Sequence, residues 1–204
     1  MTIFLRAKHW QLFILTFGLP FLIEIIFMLR MFVTIASGRV NGLDMGAFTL
    51  FPIIMLLCMG TMFGWFWSVA IGLQSKIPQN INMKVTLFKV FFFIPLVYLI
   101  GLCCFIGSTF GTMVSIGGQP NQAIFSLFML IVPLHLFSML CIFYCLYFVA
   151  KTIKTVELQR EVTFSDFAGE FFMIWFFFIG VWIIQPRINK IVAEDNSPDP
   201  DSIN

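Results

Sequence analysis

Five long apolar runs, separated by short polar stretches, set the pattern of this chain: about residues 10–35, 47–73, 85–107, 123–150 and 167–184. A helix needs ~20 apolar residues to cross a hydrocarbon core ~30 Å thick, rising ~1.5 Å per residue, and the first four runs meet that length. Polar and apolar positions do not alternate within the runs, which excludes the strands of a membrane barrel. A segment surrounded by lipid must satisfy its own backbone hydrogen bonds, and a helix does so. The pattern therefore predicts an all-α, polytopic transmembrane helical bundle of five spans, with residues 1–190 as a single transmembrane domain.

The fifth run differs from the others. Its uncharged part, Phe171–Ile184, is shorter than a full crossing, and runs of ~10–14 apolar residues are often re-entrant or interfacial. Four spans plus a re-entrant or interfacial fifth helix is the alternative. Thr163 and Asp166 have the spacing of a capping box, which would start this helix before its apolar part. The stretch Lys151–Asp166 reads as a charged extension of the fourth helix. Residues 191–204 read as an acidic, disordered tail.

Composition agrees with lipid as the solvent. The hydrophobic fraction is 60%, the charged fraction 11% and the mean hydropathy +0.98, where a soluble domain would carry about 25% charged residues. The net charge of +2 implies no nucleic-acid partner. Its distribution carries orientation. With the amino terminus cytoplasmic and five spans, Arg6, Lys8, Lys76, Lys84, Lys89, Lys151, Lys154 and Arg160 share the cytoplasmic side; Arg30, Arg39, Arg187 and Lys190 fall opposite. With four spans Arg187 and Lys190 rejoin the cytoplasmic set. Either way the rule places the amino terminus inside.

Glu24 is the most informative single residue. The first span centres near Phe21 and Leu22, so its carboxylate falls near mid-bilayer, where a charge costs ~2.5–3.5 kcal/mol or more. Such a group is expected to face protein, bind a cation or stay protonated. Arg30 follows six residues later, about 120° round the helix, and is not its natural partner. His135, two residues after Pro133, and Tyr144 bring polarity to the fourth span. Glu24, His135 and Tyr144 are thus the expected intramembrane polar site, with Glu24 and His135 as an acid–imidazole pair.

Other features have plainer readings. Pro20, Pro52, Pro95 and Pro133 place one proline in each of the first four spans, as kinks. The cysteines Cys58, Cys103, Cys104, Cys141 and Cys145 all lie in apolar runs and read as small hydrophobes. No spacing matches a metal site, and no cofactor is implied. Gly60 and Gly64 form a G-x-x-x-G, a weak mark of a helix-pairing face. Trp65, Trp67, Glu170 and Arg187 read as partner-docking or anchoring residues, the last two ringing opposite ends of the fifth run. Phosphate loops, zinc-hydrolase motifs and nucleophile elbows are missing from the sequence.

The stretch Val156-Glu157-Leu158-Gln159-Arg160-Glu161, with Phe164-Ser165-Asp166, Gly169-Glu170-Phe171-Phe172, Trp175-Phe176-Phe177 and Gly180–Asn189, resembles a segment of small, uncharacterised polytopic inner-membrane proteins of Bacteroidota-type bacteria. The resemblance implies a bacterial inner-membrane location and no particular activity. The expected function is that of a non-enzymatic accessory or assembly subunit of a larger membrane complex, with the bilayer and other membrane-protein subunits as partners. The alternative is a small proton- or cation-linked transporter or channel using Glu24 and His135.

Overall fold

The computed structural model describes residues 3–37, 50–116 and 122–194. The Gly-rich loop near Arg39 and Asp44, the middle of the uncharged loop before Gln122 and the acidic tail from Asp195 lie outside the described residues. Every regular element among the described residues is helical: α1 (Ile3–Arg6), α2 (His9–Phe13), a π-helical turn (Ile14–Gly18), α3 (Leu19–Ala36), α4 (Leu50–Gly72), a 3-10 turn (Gln74–Lys76), α5 (Val85–Ile116), α6 (Gln122–Leu158), α7 (Phe164–Trp175) and α8 (Phe177–Glu194).

Four stretches are long and apolar enough to cross a membrane: His9–Ala36, Ile53–Lys76, Val85–Ile106 and Met129–Leu158. They match the first four apolar runs. The fourth helix continues to Leu158, as the charged extension predicts. The fifth run behaves differently. It is not one helix but two, parted at Phe176, whose φ of −89° and ψ of 55° leave the helical region. The α7 helix begins at the expected capping box, with the Thr163 main-chain N–H donating to Asp166 Oδ2 at 2.8 Å.

Gly180, in the first turn of α8, meets the end of α7 without a gap. A Cβ there would lie 1.8 Å from the Met173 carbonyl oxygen. Only hydrogen fits, and it lets the two helices fold back on each other. This close approach accounts for a turn as tight as a single residue.

The prolines act in more than one way. Pro95 and Pro133 lie inside helices, whereas Pro20 stands in the first turn of α3. Lacking an N–H, Pro20 cannot donate to the carbonyl of Thr16 four residues back. The π-helical turn sits there, and the Cys58 thiol donates to the freed Thr16 carbonyl. Cys58 is thus a cap for a proline-broken helix as well as a small hydrophobe.

The chain divides into two compact units. One comprises residues 1–13, 63–89 and 144–204, the other residues 14–62 and 90–143. The well-packed core belongs to the first, around Trp65, Phe66, Phe88, Phe148, Phe167 and Ile188. Phe88 and Phe148 stack there at 4.7 Å between ring centroids. Among the described hydrophobic residues of the second unit, only Pro20, Phe92, Pro95, Leu99, Cys103 and Cys141 are buried. Its outward Leu, Ile and Phe side chains suit hydrocarbon, which offers no penalty for such exposure.

Candidate functional site

Membrane depth and the charged end of the bundle each hold a polar group of residues. At membrane depth Glu24 lies on the exposed surface of α3, and no hydrogen bond or ion pair joins it to any described residue. Pro20 is the one buried residue of that helix. The expected Glu24–His135 pair is not formed. His135 Nδ1 instead lies 3.1 Å from the Tyr98 hydroxyl, with both side chains on helices already marked by prolines, Pro133 and Pro95. Tyr98 was legible as a hydroxyl three residues after Pro95, but sequence alone could not align two helices. Tyr144 belongs to the other unit and stacks on Tyr147 at 6.2 Å. Among the described residues Glu24 and His135 are therefore not joined to each other.

The second group is denser. Glu170 on α7 is buried, and its Oε1 accepts from Arg187 Nη2 on α8 at 2.8 Å and from Lys154 Nζ on α6 at 3.1 Å. Arg187 Nε donates to Glu157 Oε1 at 2.7 Å, and Nη2 also donates to Glu157 Oε2. Lys154 adds a 3.5 Å contact to Glu157, three residues further along α6. Two carboxylates and two cations thus neutralise one another, tying three helices. Glu170 and Arg187 do not ring opposite ends of a span, as the sequence suggests; they touch.

Burial by itself pushes the Glu170 carboxyl up. The hydrogen bonds from Arg187 and Lys154 outweigh it, and the net shift is downward. The bonds from Glu157 hold Arg187 above its usual value. At the mouth of α7, Arg160 and the Thr163 main chain and hydroxyl lower half-buried Asp166 to about 2.

Beside this network lies Gln185, fully buried on α8. Its Oε1 accepts from Trp65 Nε1 at 2.7 Å. Its amide nitrogen faces the carbonyls of Phe4 and Ala7 at 3.0 and 2.8 Å and Asn189 Oδ1 at 2.9 Å. An amide has two N–H donors, so these three acceptors share them. Asn189 Nδ2 also reaches the Ala7 carbonyl, at 3.2 Å. The result ties the amino-terminal segment to α8 and α4. Phe4 completes the seat by lying over Gly64, where a Cβ would come 2.7 Å from its ring. Gly64 therefore holds a side chain of its own chain, and Gly60 has nothing within 4 Å of a built Cβ.

The aromatic expectations divide the same way. Trp65 has no exposed surface and is a core residue, not a docking one. Trp67 is half-buried and lies against Phe88 at 6.3 Å. An exposed aromatic cluster lies instead at the α7–α8 turn, on Phe172, Trp175, Phe176 and Phe178.

No family model, curated protein or solved structure matches this chain.

Proposed function

We propose that this protein is a non-enzymatic subunit of a larger membrane complex, held to its partner through the first span. One observation carries the reading: Glu24 faces outward from a helix whose surface is almost wholly exposed, and no described residue bonds to it. A carboxyl at mid-bilayer costs at least ~2.5–3.5 kcal/mol on insertion scales, and a donor on a neighbouring helix would offset that cost. The rival, a transporter built on Glu24 and His135, loses support because His135 pairs with Tyr98 instead.

The topology we infer has four spans, with α7 and α8 as a hairpin at the membrane interface. Phe176 stands six residues beyond Glu170, about 9 Å along a helix axis. A turn that shallow, with Trp175 exposed beside it, suits the headgroup boundary and its aromatic belt. In this arrangement ten basic residues share one side and only Arg30 and Arg39 the other, which makes the amino terminus cytoplasmic. A bacterial inner membrane follows from the resemblance of the carboxy-terminal segment.

Photo-crosslinking from α3 in native membranes, followed by native mass measurement, tests the subunit reading. A stoichiometric partner captured by wild type, and lost when Glu24→Leu is introduced, is the expected result. Recovery of wild type only as a monomer or homodimer would end it.

A further inference from the structure

We infer that a basic pocket at the charged end of the bundle binds a phosphate group. The pocket has a volume of about 660 Å³ and is lined by Lys76, Glu157, Gln159, Arg187 and Lys190, with Val156 and Ile191 as its apolar wall. That volume lies within the ~300–1,000 Å³ usual for small-ligand sites. All of these residues belong to one compact unit.

Three cations and one carboxylate face the space, and the carboxylate is already spent. Both Glu157 oxygens accept from Arg187, and Lys154 lies beside them. Arg187 commits Nε and Nη2 to carboxylates, while its Nη1 makes no bond with any described residue. Lys190 is exposed and makes no ion pair with any described residue.

The donors are also held in place. Arg187, Lys190 and Ile191 share a face of α8, being three and four residues apart. Lys76 Nζ donates to the Ile191 carbonyl at 3.0 Å, which fixes its ammonium next to Lys190. Gln159, in a left-handed conformation with φ of 51°, donates from Nε2 to the Lys76 carbonyl at 3.1 Å and so secures the 3-10 turn that carries Lys76. An uncommitted guanidinium edge and ammonium groups converging on one space suit a phosphate's several acceptor oxygens. Basic pockets at the ends of membrane helices commonly take lipid headgroups by the same chemistry.

The phosphate could belong to an anionic phospholipid or to a soluble phosphate, and two measurements separate them. In the first, full-length protein is reconstituted in nanodiscs of phosphatidylcholine, alone or with an equal part of phosphatidylglycerol, and retained lipid is identified by native mass spectrometry. Selective retention of phosphatidylglycerol, reduced about fivefold by Lys190→Gln, assigns the site to lipid. In the second, inorganic phosphate is titrated against the detergent-solubilised protein at constant ionic strength, with chloride as control. Phosphate binding weakened to a similar degree by Lys190→Gln assigns it to soluble phosphate groups. Lys190→Gln removes an exposed side chain that bonds to no described residue, so its folding is not at risk; Lys76→Gln is the second variant. No preference for either probe in wild type, or a preference undiminished in both variants, overturns the proposal.

Discussion

Glu170 and Arg187 lie 2.8 Å apart, although seventeen residues separate them along the chain. In one continuous helix they would stand ~25 Å apart. The contact therefore requires the fifth apolar run to turn back on itself, and it predicts the sidedness of the carboxy terminus. A reporter active on only one side of the membrane should give the same response when fused before Met1 and after Asn204. Opposite responses would require a fifth crossing. The pair itself can be tested by exchange. Arg187→Glu should cost about 3 kcal/mol, since it leaves three carboxylates against Lys154, and Glu170→Arg combined with Arg187→Glu should recover part of that loss in thermal unfolding.

The turn depends on a missing side chain. With a Cβ of Gly180 placed 1.8 Å from the Met173 carbonyl oxygen, Gly180→Ala must move α7 off α8 and should destabilise the protein by about 2 kcal/mol. Gly169→Ala is the matched control, because nothing lies within 4 Å of its built Cβ. Removing glycine from an exposed helix should gain up to ~1 kcal/mol. Thermal midpoints that move in the same direction for both variants would contradict the close packing at Gly180.

Gln185 offers a third test. Gln185→Leu keeps the volume but leaves the Trp65 indole N–H and the Ala7 carbonyl with poorer partners in a buried site. The expected loss is about 2–6 kcal/mol, from two groups left short at ~1–3 kcal/mol each. Residues 3–8 should then become open to proteolysis before the rest of the chain. Trp65→Phe removes the donor as well and should cost less when made on the Gln185→Leu background than on wild type. Equal costs on both backgrounds would show that the hydrogen bond contributes nothing.

Four of the spans were legible because lipid imposes one strong rule: a run of about twenty apolar residues must be a helix, wherever its neighbours are. The capping box at Thr163 was legible for a similar reason, being a contact between residues three apart. The hairpin was not. Hydropathy reports that Phe171–Ile184 avoids water, and both a crossing and a fold-back do so; the choice rests on Gly180 meeting Met173, a contact no local pattern encodes. Gln185 was visible only as a polar group at the end of an apolar run, since its partners lie far away, at residues 4, 7 and 65. Glu24 shows the opposite limit. Its depth could be read from the sequence, but its partner could not, and the described residues of its own chain do not provide one.

Acid stability should follow the carboxylates of α7. Glu170 lies below its ordinary value of 4.5, and Asp166 falls from 3.8 to about 2. Groups with depressed folded values add stability above their unfolded values and lose it as pH drops through the folded ones. The thermal midpoint of the detergent-solubilised protein should therefore hold level from neutral pH down to about 4.5, then fall toward pH 2. Glu170→Gln should lower the midpoint at neutral pH, and Glu170→Gln and Asp166→Asn should each make the acid limb shallower, the latter between pH 3.8 and about 2. Each variant removes one carboxylate held below its ordinary value, Glu170 by Arg187 and Lys154, Asp166 by Arg160 and the cap at Thr163. A midpoint that rises on acidification through this range, or acid limbs identical in wild type and both variants, would show that neither carboxylate is bound more tightly in the folded protein.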